Sequence, residues 1–289
     1  MSQFEVKSYT DHFTIYELSE PGTDSVVRIC PDRGGIVIGC QLNGLELFYL
    51  DKATFEHPTA NIRGGNPILF PICGQLENGA YEWEGVTYQM ANHGVARTAV
   101  WDVVNTSTES EASITISLRS NETTKQSYPF DFELIFTYAL KDGKLHTRQQ
   151  YRNLTADKAM PFYAGFHPYF NVDNKKLSYE TDTTRYLDYN DMAEKPFGDV
   201  FDLEGLVESV TLLDPKKPEI AFPVSGGAKV RLSYDKIFKY VQLWSVNGKP
   251  FICAEPWMAM TGELNRQEDL VMLDAGESLN AVLTISCER

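Results

Sequence analysis

The chain has 289 residues, 43% hydrophobic and 23% charged, which is ordinary globular composition and enough for a large core. Its net charge of −14 disfavours nucleic acid and anionic membrane surfaces as partners, and an anionic small molecule would need local positive charge to be held. No apolar run approaches the ~18 residues that span a bilayer, and Met1-Ser2-Gln3-Phe4-Glu5-Val6-Lys7 lacks the basic-then-apolar profile of a signal peptide, so a cytoplasmic protein is expected.

Period-2 alternation and tight-turn dipeptides dominate in chain order. Asn43-Gly44 separates Val37–Leu42 from Leu45–Leu50, and the stretch Asp51–His57 suits one short turn of helix. Ile114–Leu118 alternates strictly, as a half-buried strand does. Asp142-Gly143 then divides Phe132–Leu140 from Leu145–Arg152. Asp173–Lys176 reads as a turn between strands and the polar stretch Asp188–Glu204 as a long loop. Lys229–Ser233, Tyr240–Val246 and Ala281–Ser286 are further strands, with Asn247-Gly248 joining the second of these to Phe251–Glu255. No linker or repeat interrupts the pattern. A large antiparallel β-sandwich in a single domain, residues 1–289, is expected.

The cysteines Cys30, Cys40, Cys73, Cys253 and Cys287 are scattered and never form a C-x-x-C pair, which argues against a disulfide framework and a structural zinc site. Nucleophile-elbow, H-E-x-x-H, phosphate-loop and dinucleotide motifs are missing. Of five histidines, His12 and His57 suit the surface and His146 a structural strand position. His167 lies in Gly165-Phe166-His167-Pro168-Tyr169-Phe170, where the following proline biases it towards extended backbone. His167 and Tyr169 would then share one face and Phe166 and Pro168 the other. The residue fits either a lined cavity or a hydrogen-bonded core position.

Glu255 closes the apolar run Phe251-Ile252-Cys253-Ala254, so it needs a partner, a pocket or solvent. Trp257 beside it suits core packing better than stacking on a sugar ring. Cys253 would share the face of Glu255, but its apolar flanks raise rather than lower a thiol pKa. Arg63-Gly64-Gly65 and His93-Gly94-Val95-Ala96-Arg97 combine arginine with glycines that allow close backbone approach. Taken alone, each segment is better read as a turn bearing surface arginines. A two-histidine, one-carboxylate metal site from His93, His167 and Glu255 is a minor alternative.

Taken in order, Arg63-Gly64-Gly65-Asn66-Pro67-Ile68-Leu69-Phe70-Pro71, His93-Gly94-Val95-Ala96-Arg97, Phe166-His167-Pro168-Tyr169-Phe170 and Cys253-Ala254-Glu255-Pro256-Trp257 resemble the aldose 1-epimerase (galactose mutarotase-like) family. The tail Leu273–Ser278 resembles the family's closing turn. The resemblance implies a β-supersandwich, a sugar or sugar-phosphate ligand, no cofactor and no catalytic metal. It implies His167 as acid and Glu255 as base, a protonated imidazole facing an ionised carboxylate. Arg63, His93 and Arg97 match substrate-binding positions, and their motifs look like the hexose-6-phosphate epimerases, whereas Pro67-Ile68-Leu69-Phe70-Pro71-Ile72 looks more like other mutarotase-like relatives, so the branch stays open. The family also uses an acidic residue for sugar hydroxyls, for which Asp188, Asp202 and Asp214 are candidates. A non-catalytic carbohydrate-binding protein on the same fold is the competing class.

Overall fold

Alternating strands joined by tight turns build most of the molecule, and the computed structural model describes residues 3–289. Glu5–Asp11, Phe13–Glu20, Ser25–Cys30, Ile36–Leu42 and Leu45–Glu46 form a five-stranded antiparallel meander. A seven-stranded sheet runs Glu219–Pro223, Lys229–Tyr234, Ser278–Glu288, Lys144–Asn153, Phe132–Lys141, Ala112–Arg119 and Asp102–Ser107. An eight-stranded sheet has Tyr240–Trp244 and Phe251–Trp257 near its middle, flanked by Val210–Leu212 on one side and Gly165–Phe166 on the other. The expected all-β sandwich is what the chain forms.

The turn chemistry explains the connections. Asp142 and Gly143 both have positive φ (52° and 64°), as a two-residue hairpin of matching twist requires. The carboxylate of Glu20 accepts hydrogen bonds from both their backbone N–H groups, which ties this hairpin to the first sheet. Asn43-Gly44 behaves likewise. Asn247-Gly248 departs from expectation: the strand stops at Trp244, only Gly248 has positive φ, and Lys249 N–H bonds to Val246 C=O in a longer connection.

The expected helical turn is Lys52–Glu56, capped by the Asp51 carboxylate on Thr54 N–H. A second helix, Glu122–Ser127, was not anticipated although Asn121 and Thr124 form a capping box at its start. The polar stretch read as a long loop instead carries Ala193–Pro196 and Val200–Asp202. Both are short strands of three or four residues whose side chains are half-buried or exposed, too brief for a period-2 pattern to stand out.

Aromatics fill the space between the two large sheets. Phe70 packs on Phe132, Tyr151 and Phe162, and Phe166 on Phe136 and Phe238. Each fully buried Phe contributes about 1.5–3 kcal/mol through area removed from water. Phe166 thus points into the core, which commits His167 to the opposite face of the eight-stranded sheet. No helix among the described residues is long and apolar enough to cross a membrane.

Candidate active site

A single antiparallel register assembles the centre of the site. Strand Phe251–Trp257 pairs Gly165 with Trp257 and Tyr169 with Cys253, so His167 falls opposite Glu255. His167 N–H bonds to Pro67 C=O, and Tyr169 N–H to Gly65 C=O, bringing the Arg63–Pro67 segment alongside. On the other flank Gln242 pairs with Glu255, and Thr211 with Gln242. A buried polar row, Thr211–Gln242–Glu255–His167, therefore crosses the sheet on one face. The Thr211 hydroxyl donates to Gln242, whose amide nitrogen donates to Ser209.

Above this row lies a cleft of about 570 Å³. All five residues singled out in the sequence, Arg63, His93, Arg97, His167 and Glu255, line it. The Trp244 edge meets His167 on one side and Trp257 meets His93 on the other. His167 stacks on Tyr169 with ring centroids 4.7 Å apart, as their shared face requires.

His167 and Glu255 are nearly closed off from solvent, 7% and 1% exposed. His167 Nδ1 lies 3.4 Å from Glu255 Oε1, too far and too poorly aligned for a formed hydrogen bond. Glu255 Oε2 and Trp257 Nε1 also lack a partner with hydrogen-bond geometry, although the indole N–H faces the carboxyl closely enough to favour its charged form. Burial outweighs that influence and holds the Glu255 carboxyl well above the usual carboxylate range. Burial, reinforced by Arg97 and Arg63, pushes His167 well below its ordinary value. Both shifts favour a neutral imidazole beside a protonated carboxyl, the reverse of the charged pair expected from the sequence.

His93 is held differently. Its Nδ1 accepts the Gly74 N–H at 3.0 Å, which leaves Nε2 to carry the proton as a fixed donor. Burial, then His167, keeps its pKa well below normal. Its own φ is 66°, with its N–H held by Gly74 C=O, and glycine is required at Gly94, where a Cβ would lie 2.3 Å from the Phe70 carbonyl oxygen. Arg97 is braced by the side-chain oxygen of Asn61, and the Arg63 guanidinium lies over the Trp244 ring, 5.4 Å from its centroid. Neither arginine has a carboxylate within 4 Å among the described residues.

None of the three aspartates proposed for sugar hydroxyls reaches the cleft. Asp188 is bound by Lys195 and Asn190, Asp214 by Thr184 and the Arg185 backbone, and Asp202 by Glu204 N–H. The acidic residue on the wall is Glu208, whose carboxylate has no partner among the described residues. Trp257, expected in the core, is buried yet lines the cleft. Gln242, Trp244 and Thr261 were also missed. A glutamine inside the apolar run Tyr240–Trp244 was the readable signal for the first; Glu208 offered none.

A sequence profile of the aldose 1-epimerase family matches residues 16–286. Plasmid-borne protein LacX of Lactococcus lactis subsp. lactis is 29% identical, over 77% of this chain and 81% of LacX. The Slr1438 protein of Synechocystis sp. PCC 6803 is 30% identical, covers 98% of both chains and superposes with a TM-score of 0.92. A galactose mutarotase related enzyme from Lactobacillus acidophilus is 22% identical over 99% of this chain and 98% of its own, with a TM-score of 0.74, a likeness of fold. Matched by the family profile from the second strand to the last, this chain belongs to the aldose 1-epimerase family.

Proposed function

We propose that the protein interconverts the α and β anomers of an aldohexose, with His167 and Glu255 as its acid–base pair. The observation that carries this reading is their placement opposite each other on one register, on the buried floor of the cleft. Exchange of anomers requires the ring to open, C1 to rotate and the ring to reclose. Opening moves one proton onto the ring oxygen and another off the anomeric hydroxyl; closing reverses both.

The pair needs to hold one proton in total for this. With the proton on His167, the imidazolium protonates the ring oxygen while the Glu255 carboxylate takes the hydroxyl proton. The pair is then a neutral imidazole and a protonated carboxyl, ready for reclosure. These two forms differ only in where the proton sits, and each occurs once per turnover. Burial favours the neutral one in the empty cleft. Each proton-transfer partner is typically worth about 10²–10⁴-fold in rate.

The surrounding groups would orient the sugar. His93 Nε2–H donates to a sugar oxygen, Glu208 accepts from hydroxyls, and Trp244 and Trp257 flank the ring. Two arginines without carboxylate partners favour a more specific second reading, a hexose carrying an anionic substituent such as a 6-phosphate. Anomer exchange measured by NMR from freshly dissolved α-glucose, α-galactose and glucose 6-phosphate tests the proposal. Exchange no faster than without protein for every sugar overturns it and leaves the non-catalytic sugar-binding class.

A further inference from the structure

Buried beneath the floor of the cleft, beside His167 and Glu255, is a third donor that the proposed reaction does not use. Cys253 lies on the same strand face as Glu255, and one donor atom from each of His167, Cys253 and Glu255 lies within 4.8 Å of the other two. We propose that these three residues form a site for a borderline-soft divalent cation, Zn²⁺ above all, and that its occupation blocks the enzyme. The inhibitory half rests on the proposed roles of His167 and Glu255; the binding half does not.

The geometry suits zinc. Nitrogen and oxygen ligands of one tetrahedral zinc, each at about 2.0–2.1 Å, stand roughly 3.3–3.4 Å apart. His167 Nδ1 and Glu255 Oε1 are separated by 3.4 Å, and they are not joined by a hydrogen bond. With all three donor atoms within 4.8 Å of one another, bringing sulfur to about 2.3 Å from the same ion needs an inward shift of roughly 1 Å at most. Two of the side chains also offer unsatisfied atoms: His167 Nδ1 and Glu255 Oε2 are buried without partners. His93 is not part of the set, because Gly74 N–H already occupies its Nδ1.

The donors choose the ion. A nitrogen, a sulfur and one carboxylate fit zinc and its neighbours, whereas calcium and magnesium require oxygen shells. Binding releases two protons, one from the thiol and the one shared by the pair, so Zn²⁺, thiolate and carboxylate sum to no net charge. That neutrality answers the burial that otherwise holds the Cys253 thiol and the Glu255 carboxyl protonated. Arg63 and Arg97 oppose a cation locally, while the chain's −14 draws it in. The fourth position of the ion opens to the cleft, where it competes with sugar.

Co²⁺ titration of the intact protein provides a direct readout, because a thiolate ligand gives a near-ultraviolet charge-transfer band. The wild type should show this band at one equivalent, and Cys253→Ser should lose it while Cys73→Ser keeps it. Without metal, Cys253→Ser should exchange anomers at the wild-type rate, yet need more than roughly tenfold higher Zn²⁺ for inhibition, a factor reached even by removing a hydrogen-bond partner of a metal ligand. A wild type without the band, or a Cys253→Ser protein with the same band or the same Zn²⁺ sensitivity, overturns the proposal. Cys253→Ala replaces the serine variant if near-ultraviolet circular dichroism shows that the latter is misfolded. If no sugar is exchanged at all, the Co²⁺ band still decides the site, and only the proposed function has failed.

Discussion

His167 stands against Glu255, Nδ1 to Oε1 at 3.4 Å, because Gly165 pairs with Trp257 and Tyr169 with Cys253 on either side of them. Pro168 and Pro256 follow the two residues and have no N–H to give to the ladder beside them. The pair is buried, and neither His167 Nδ1 nor Glu255 Oε2 has a hydrogen-bond partner.

The pH dependence follows from that burial. A second proton enters the pair only below the depressed His167 value, and the single proton leaves only above the raised Glu255 value. With a free sugar, kcat/KM should show a broad plateau, an acid limb well below pH 6.5 and an alkaline limb far above the usual carboxylate range. An acid limb at or above pH 6.5 contradicts the burial described for His167.

His167→Asn and Glu255→Gln should each slow anomer exchange by about 10²–10⁴-fold. Neither should lower Tm, since both remove a buried ionisable group held away from its preferred state. The signs differ with pH. Glu255 has a raised folded pKa, so its contribution to stability is intact below about 4.5 and lost as pH rises through the folded value; the gain from Gln should appear on going upward. His167 has a lowered one, so its contribution is intact above about 6.5 and lost as pH falls; the gain from Asn should appear on going downward. Thermal melts at several pH values check both, and a large Tm loss at all pH values contradicts them.

Arg63→Ala and Arg97→Ala should raise KM for glucose 6-phosphate by roughly tenfold or more each, from the loss of a charge-assisted hydrogen bond of about 1.5–3 kcal/mol. For free glucose the change should be far smaller. Equal KM effects on both sugars would assign these arginines to hydroxyls common to the two.

Gly74→Ala should damage both stability and activity. Gly74 has φ of 72°, and a Cβ there would lie 2.4 Å from Thr261 Oγ1, which holds the Gln75 backbone by reciprocal hydrogen bonds. Strain of this kind costs about 1–3 kcal/mol, readable by denaturant titration. Displacing Gly74 N–H also frees His93 Nδ1, so kcat/KM should fall beyond what the unfolded fraction explains. Wild-type kcat/KM per folded molecule would show that the His93 tautomer does not matter.

What the sequence determined by itself is what local chemistry encodes. Alternation such as Ile114–Leu118 and the positive-φ dipeptides Asn43-Gly44 and Asp142-Gly143 depend on neighbours within a few residues, so the strands and most hairpins were legible. The same alternation separated Phe166 from His167 across the sheet, and ordered motifs carried the family. Tertiary structure alone decided the rest. His167 and Glu255 meet through a register between distant segments, Glu208 rather than the three aspartates comes to line the cleft, and Trp257 belongs to the core and to the cleft wall at once. The protonation of the pair was also beyond local reading, since desolvation is a property of everything packed around the two groups and reverses the state that ordinary pKa values imply.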